Sequence, residues 1–312
     1  MDIYRKYEAL SPIYQGGLTN HIPMVLVALK ELGVTEEKIA EKLDNYRQQK
    51  WLFDLTDSNT PIDDFSQEYI NRTGFYLGEL NHKGEDIVVG EFINKNKLTI
   101  SSGLFHGLIR LAYAKQVHHP LMIAQALAYY ELTMGNVEFK ATYIDESEFE
   151  ESFSRLFNAY KELDYTFETE GTMNKLNEIL TNELVSENLV YLKTPNRKYI
   201  LDFILSHYLR TKDFYILHLV TGFEALLELE EYIYGFEDVL NHFFVLAQAF
   251  VLFNTSTLIE DTQDTKSLEE LIKEVEHLVD FHDIKLFYSL VKLSNLFENK
   301  KINKIANQIF KK

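Results

Sequence analysis

Turn punctuation is what this sequence most conspicuously lacks: 312 residues contain only 5 Pro and 13 Gly. Strand-rich folds turn often and place such residues at most corners, whereas long helices joined by short connections need few. Apolar residues also return at helical spacing over most of the chain. The expectation is an all-α fold, a large multi-helix globular assembly with strand below ~10%, far under the usual ~20–25%. Hydrophobic residues at 46% and charged ones at 25% allow a sizeable core. We read one domain over 1–312. The acidic, irregular stretch 134–147 is the best candidate boundary between two halves, about 1–140 and 146–312.

Helices are expected over 1–10, 21–32 with Asn20 as N-cap, 35–50, 65–80, 86–94, 103–116 capped by Ser101 or Ser102, and 121–133. Further ones follow over 146–163, 174–185, 197–209, 214–230, 234–254, 268–278 and 282–297, with a basic tail helix at the end. Gly16-Gly17 marks a turn, 54–64 with Pro61 a loop, and 135–145 the likeliest strand-like or irregular connection. No repeat of fixed period is present.

Several function classes are excluded or disfavoured. Without cysteine there is no disulfide, thiolate nucleophile, zinc knuckle or iron–sulfur site, so a metal must be held by nitrogen or oxygen ligands. A formal charge of −17 with scattered basic residues opposes nucleic-acid binding. No apolar run follows a basic start at the N-terminus, and the most apolar stretch, 243–253, is shorter than the ~20 residues a membrane helix takes. These features point to a cytoplasmic protein. Phosphate loops, His-Glu-x-x-His and Gly-x-Ser-x-Gly are absent.

Ten histidines remain as the chemistry-bearing feature. His21 opens an inward-facing helix. His106 and His218 lie in apolar runs, and Thr221 and Gly222, one turn after His218, leave that face open enough for a ligand. The alternative is that each is a core histidine bonded to a backbone carbonyl. His282 and Lys285 share a helix face and, taken alone, read as a solvated surface. Glu79/His82 and Glu274/His277 each have the Glu-x-x-His spacing with which ferritin-like bundles hold a di-iron centre. A non-catalytic helical binding protein is the third possibility.

Five blocks in order change that balance. Asn20-His21-Ile22-Pro23-Met24, the run from His106 to Ala114, that from Ala124 to Tyr130, that from Phe214 to Thr221, and His282-Asp283-Ile284-Lys285 together resemble the questin oxidase-like family over about residues 11–295. Fungal members of that family open or oxidise anthraquinone-type rings. The resemblance implies an α-helical oxidoreductase, a mononuclear non-haem iron oxygenase with His21, His106, His218 and His282 as ligands. An ammonium beside a dication is strongly repelled, so Lys285 would be neutral or carboxylated, its carbamate giving an anionic oxygen. The implied partners are Fe(II) or another divalent transition metal, dioxygen, and an aromatic or quinone-like small molecule, in a pocket lined by some of the 19 Tyr and 22 Phe. This chain departs from the fungal pattern at Met24-Val25, where histidines tend to follow, and at Gly107 and Arg110, where Pro and His tend to stand.

Overall fold

The helices start where the sequence writes a cap. Asp63, Asp213, Asp280, Asn182, Asn196 and Asn299 each accept a backbone N–H from the first turn of the helix they precede. Asp145 and Ser267 form reciprocal capping boxes with Glu148 and Glu270. A computed structural model describes residues 3–59, 62–254 and 266–311. Met1 and Asp2 of the expected first helix, and Pro61 of the loop, lie outside the described residues. Among the described residues there are sixteen α-helices, with 68% of the chain helical and 4% in strands, so the all-α expectation holds.

In chain order, α1 (Ile3–Tyr7) precedes an antiparallel hairpin of β1 (Ile13–Tyr14) and β2 (Leu18–Thr19) that turns at Gly16-Gly17. Then come α2 (Ile22–Glu31), α3 (Glu36–Lys50), α4 (Asp64–Lys83), α5 (Glu85–Asn96), α6 (His106–Gln116) and α7 (Pro120–Thr133). β3 (Thr142–Ile144) leads to α8 (Glu146–Glu162), α9 (Thr172–Thr181), α10 (Glu183–Ser186) and β4 (Val190–Leu192). The remainder is α11 (Arg197–Thr211), α12 (Phe214–Glu228), α13 (Phe236–Leu252), α14 (Leu268–Ile272), α15 (Phe281–Leu296) and α16 (Lys300–Ile309). The expected helix over 174–185 is two helices, broken where Asn182 caps α10. The one over 268–278 ends early and continues as a single 3-10 turn, Val275–His277.

Strand β4 pairs in parallel with β3 on one side, which leaves its other edge unsatisfied. Two side chains of α13, seven residues apart, cover it. Asn241 accepts from Leu192 N–H and donates to its carbonyl, and Gln248 does the same for Val190. Gln248, the polar residue within the apolar run 243–253, thus makes a structural contact, and α13 is buried nearly throughout. Among the described residues no helix is long and apolar enough to cross a membrane.

The site is positioned by four helices packed in a closed cycle: α2 against α6, α6 against α12, α12 against α15, and α15 against α2. The first two come from before 134–147 and the last two from after it. Two glycines set how closely the surrounding elements approach. A Cβ on Gly222 would lie 2.8 Å from the Phe105 ring, and one on Gly107 2.7 Å from Tyr130. The space expected beside His218 is therefore filled by Phe105 and is not open to a ligand. Helix α6 also starts three residues later than expected, and neither serine caps it: Ser102 instead accepts the Gly135 N–H. Gly103, Leu104 and Phe105 take consecutive left-handed conformations with φ of 55°, 57° and 64°. For Leu and Phe this costs about 1–2 kcal/mol each, offset by burial of both side chains.

Candidate metal centre

All four helices of the cycle direct their N-terminal ends at one place. His21 is the N-cap of α2, His106 the first residue of α6, His218 the fifth of α12 and His282 the second of α15. His21 Nε2 and His106 Nε2 are 3.0 Å apart. One ring nitrogen from each of His21, His106 and His282 lies within 4.8 Å of the others, a group able to hold a metal ion. His218 is not in that tight group, but its ring stands 4.9 Å from that of His106 and 5.4 Å from that of His282. Lys285, one turn after His282, is completely buried and brings Nζ to 3.5 Å from His106 Nε2. The solvated-surface reading of His282 and Lys285 is thus wrong, because their shared face turns into the cycle.

The partners of the outer nitrogens decide what the inner ones present. His106 Nδ1 faces the Gly103 carbonyl at 2.5 Å, and His218 Nδ1 the Phe214 carbonyl at 2.8 Å. His282 Nδ1 lies 3.2 Å from the Asp280 carboxylate. His21 Nδ1 lies 3.2 Å from the Tyr46 hydroxyl, whose own proton goes to Tyr14. Each partner accepts, so each Nδ1 carries the proton and each Nε2 is left as a bare lone pair; the tautomers are assigned from these partners. Among the described residues His218 Nε2 is buried with no protein partner, and the Nε2 atoms of His21 and His106 face one another. Inward lone pairs with their rings fixed from behind are what a metal requires of imidazole ligands. The core-histidine alternative accounts for the Nδ1 contacts and not for the Nε2 atoms.

Electrostatics keeps the imidazoles neutral. Burial, and after it the Lys285 ammonium, hold His21, His106 and His218 well below their ordinary value of 6.5. Burial lowers His282 against the opposing pull of Asp280. Lys285 is itself pushed down to about 7, by burial first, with Asp280 opposing and Arg110 adding to the shift. Among the described residues no carboxylate forms an ion pair with Lys285 or with buried Arg110. Converging helix ends add positive potential, which disfavours an ammonium and favours an anion.

A cavity of about 510 Å³ opens onto His21, His106 and His282. Phe214 walls it, half-exposed, its ring 4.5 Å from that of His218 and 5.1 Å from that of His282. The other proposed metal residues are elsewhere. Glu79 is paired with Lys83 beside an exposed His82, and Glu274 with Lys266 beside an exposed His277. They sit on the surface, so the structure does not assemble them into a di-iron centre.

The family model described as Questin oxidase-like matches residues 18–197, more than half of the chain. The chain belongs to the questin oxidase-like family. No curated protein matches it. The questin oxidase-like match contains His21 and His106 and ends before His218, His282 and Lys285, which the fold brings to the same centre. The acceptors behind the rings were not foreseen. Asp280 had a readable signal, an Asp two residues before a histidine at a helix start, whereas the Gly103 and Phe214 carbonyls had none.

Proposed function

We infer that this chain is a metal-dependent oxidoreductase, a mononuclear non-haem iron oxygenase acting with dioxygen on an aromatic or quinone-like small molecule. One observation carries the reading: His21, His106 and partly exposed His282 offer ring nitrogens within 4.8 Å of one another, with His218, its Nε2 unpartnered, and buried Lys285 beside them. His21, His106, His218 and His282 would be the nitrogen ligands. Neutral nitrogens with one anionic oxygen suit Fe(II). Lys285 can provide that oxygen: its neutral amine nitrogen attacks carbon dioxide, one N–H proton leaves, and the carbamate carries the negative charge. Converging helix ends and the Arg110 guanidinium favour that anion over the ammonium.

Bound iron would supply the one-electron and dioxygen chemistry that side chains lack. The protein's part is to hold the ligands, exclude bulk water and orient the substrate. The cavity beside the imidazoles has room for a fused aromatic ring system, and no lining residue carries a fixed charge. Its walls include Leu104, Met173 and Phe214, suited to a flat apolar molecule.

Metal analysis of the purified full-length chain, with oxygen uptake measured alongside, tests this. About one iron per chain is expected, with the content falling at least ~10-fold in His106→Ala or His218→Ala, as loss of a ligand should exceed the 10–100-fold effect of losing a ligand's support. A protein that binds no transition metal after anaerobic reconstitution with Fe(II), or binds two per chain, sinks the reading.

A further inference from the structure

The cavity holds a second polar feature besides the imidazoles. Thr19, at the end of the hairpin, and Tyr129, on α7, join their hydroxyls at 2.6 Å. Both side chains line the same cavity as His21, His106 and His282, and both are almost wholly buried. Thr133, also lining it, donates its proton to the Tyr129 carbonyl. The Thr19–Tyr129 pair has two protons and uses one between its own oxygens, whichever is the donor. One O–H therefore remains, for Thr133, which also hydrogen-bonds the Tyr129 side chain, or for an acceptor that enters the cavity.

Behind this pair stands a charge. The Arg110 guanidinium lies over the Tyr129 ring, 4.3 Å from its centroid, and donates to the Asn20 carbonyl at 3.1 Å. Among the described residues it has no carboxylate partner; its Nε and Nη1 find no acceptor in strict hydrogen-bonding geometry, and the Tyr69 hydroxyl is its other polar neighbour. A cation on the ring face draws electron density from the phenol and strengthens its hydroxyl as a donor. Burial raises the Tyr129 pKa, and Arg110 is the strongest influence in the other direction. Gly103, where a Cβ would come within 3.6 Å of the Tyr129 hydroxyl, keeps the approach open. The first turn of α9 lines the cavity as well, adding a positive helix end. Uncharged walls, a spare hydroxyl proton and a buried cation behind it form a hole for an oxygen that bears negative charge.

We propose that Thr19 and Tyr129, backed by Arg110, anchor the substrate through an ionised phenolic or enolic oxygen, and so fix which edge of the molecule faces the imidazoles. This rests on the oxidoreductase reading and adds the chemical group that the substrate must present. Hydrogen bonds to a charged oxygen are the stronger kind, so their loss should show clearly.

The test titrates the metal-loaded full-length protein with 2-hydroxyanthraquinone, whose phenol has no internal acceptor and whose absorption moves to the red when it ionises, and with unsubstituted anthraquinone. Wild type should bind the hydroxylated probe with the red-shifted band. Tyr129→Phe keeps the ring and its packing on Arg110, and Thr19→Val keeps the shape. Each should weaken that probe about tenfold or more and remove the shift. Arg110→Gln should reduce the shift while both hydroxyls remain. Metal content should stay at the wild-type level in Tyr129→Phe and Thr19→Val, and unsubstituted anthraquinone should bind wild type and these two variants alike. Unchanged affinity and band in Tyr129→Phe would show that the oxygen is held elsewhere and overturn the proposal while leaving the iron reading intact. Loss of metal in Tyr129→Phe would make its role structural and overturn the proposal equally. If wild type binds neither probe, the anchor falls, and metal content with oxygen uptake tests the oxidoreductase reading separately.

Discussion

Of the four acceptors behind the imidazoles, only Asp280 carries a charge, and it also caps α15 through the His282 N–H. Asn caps a helix as well as Asp, so Asp280→Asn should leave the helix intact and remove only the charge behind the ring. Competition against a chelator should then show metal affinity reduced about 10-fold or more; unchanged affinity would mean that the Asp280 contact serves the cap alone. Lys285→Met should keep the fold, since an apolar side chain replaces a buried amine, but should deplete bound metal, and added bicarbonate should not restore it. Glu224 on α12 is buried close to the same helices, held by a 3.3 Å bond from Ser289, and burial pushes its carboxyl up to about 8. Above its ordinary value of 4.5 the unfolded chain has lost this proton while the folded chain keeps it, so its contribution to stability falls as pH rises from about 5 to 8. Denaturant titrations should show that loss in wild type relative to Glu224→Gln. Parallel pH profiles would place the Glu224 charge in contact with solvent.

At the level of elements, the helices were legible from apolar periodicity and sparse turn residues, whereas the caps read for two of them, Asn20 and Ser101 or Ser102, are not the N-caps, which are His21 and Phe105. The hairpin strands were not, because two residues each give no period to detect. Val190–Leu192 looks apolar enough for either class, and only the side chains of Asn241 and Gln248 complete it as a strand. The left-handed Leu104 and Phe105 had no local signal at all; packing against Gly222 holds Phe105. Gly222→Ala should therefore act twice. Its methyl group would meet the Phe105 ring at 2.8 Å, a misfit expected to cost about 1–3 kcal/mol in a chemical denaturation experiment. It should also weaken metal binding, because Phe105 directly precedes His106. A variant as stable as wild type would mean that Phe105 moves freely, contrary to its role as a wedge.

Across the whole molecule, the centre is made by residues from both ends of the chain, and spacing alone could not have found it. Periodicity put His21, His106 and His218 on inward faces but could not say that those faces meet. For Lys285 it suggested solvent, because a charged residue in a helix is usually exposed. The resemblance supplied the grouping, and the cycle of α2, α6, α12 and α15 supplies its physical reason. If that cycle is closed by an ion, chelation should lower the thermal midpoint of the whole protein, since metal at a hundredfold excess over its dissociation constant stabilises by about 2.7 kcal/mol. The most direct measurement is an anomalous-scattering map at the iron edge from crystals of the full chain. A single peak is predicted within about 2.0–2.3 Å of Nε2 of His21, His106, His218 and His282. A peak beside Glu79 and His82, two peaks, or none in protein shown to contain iron would contradict the account.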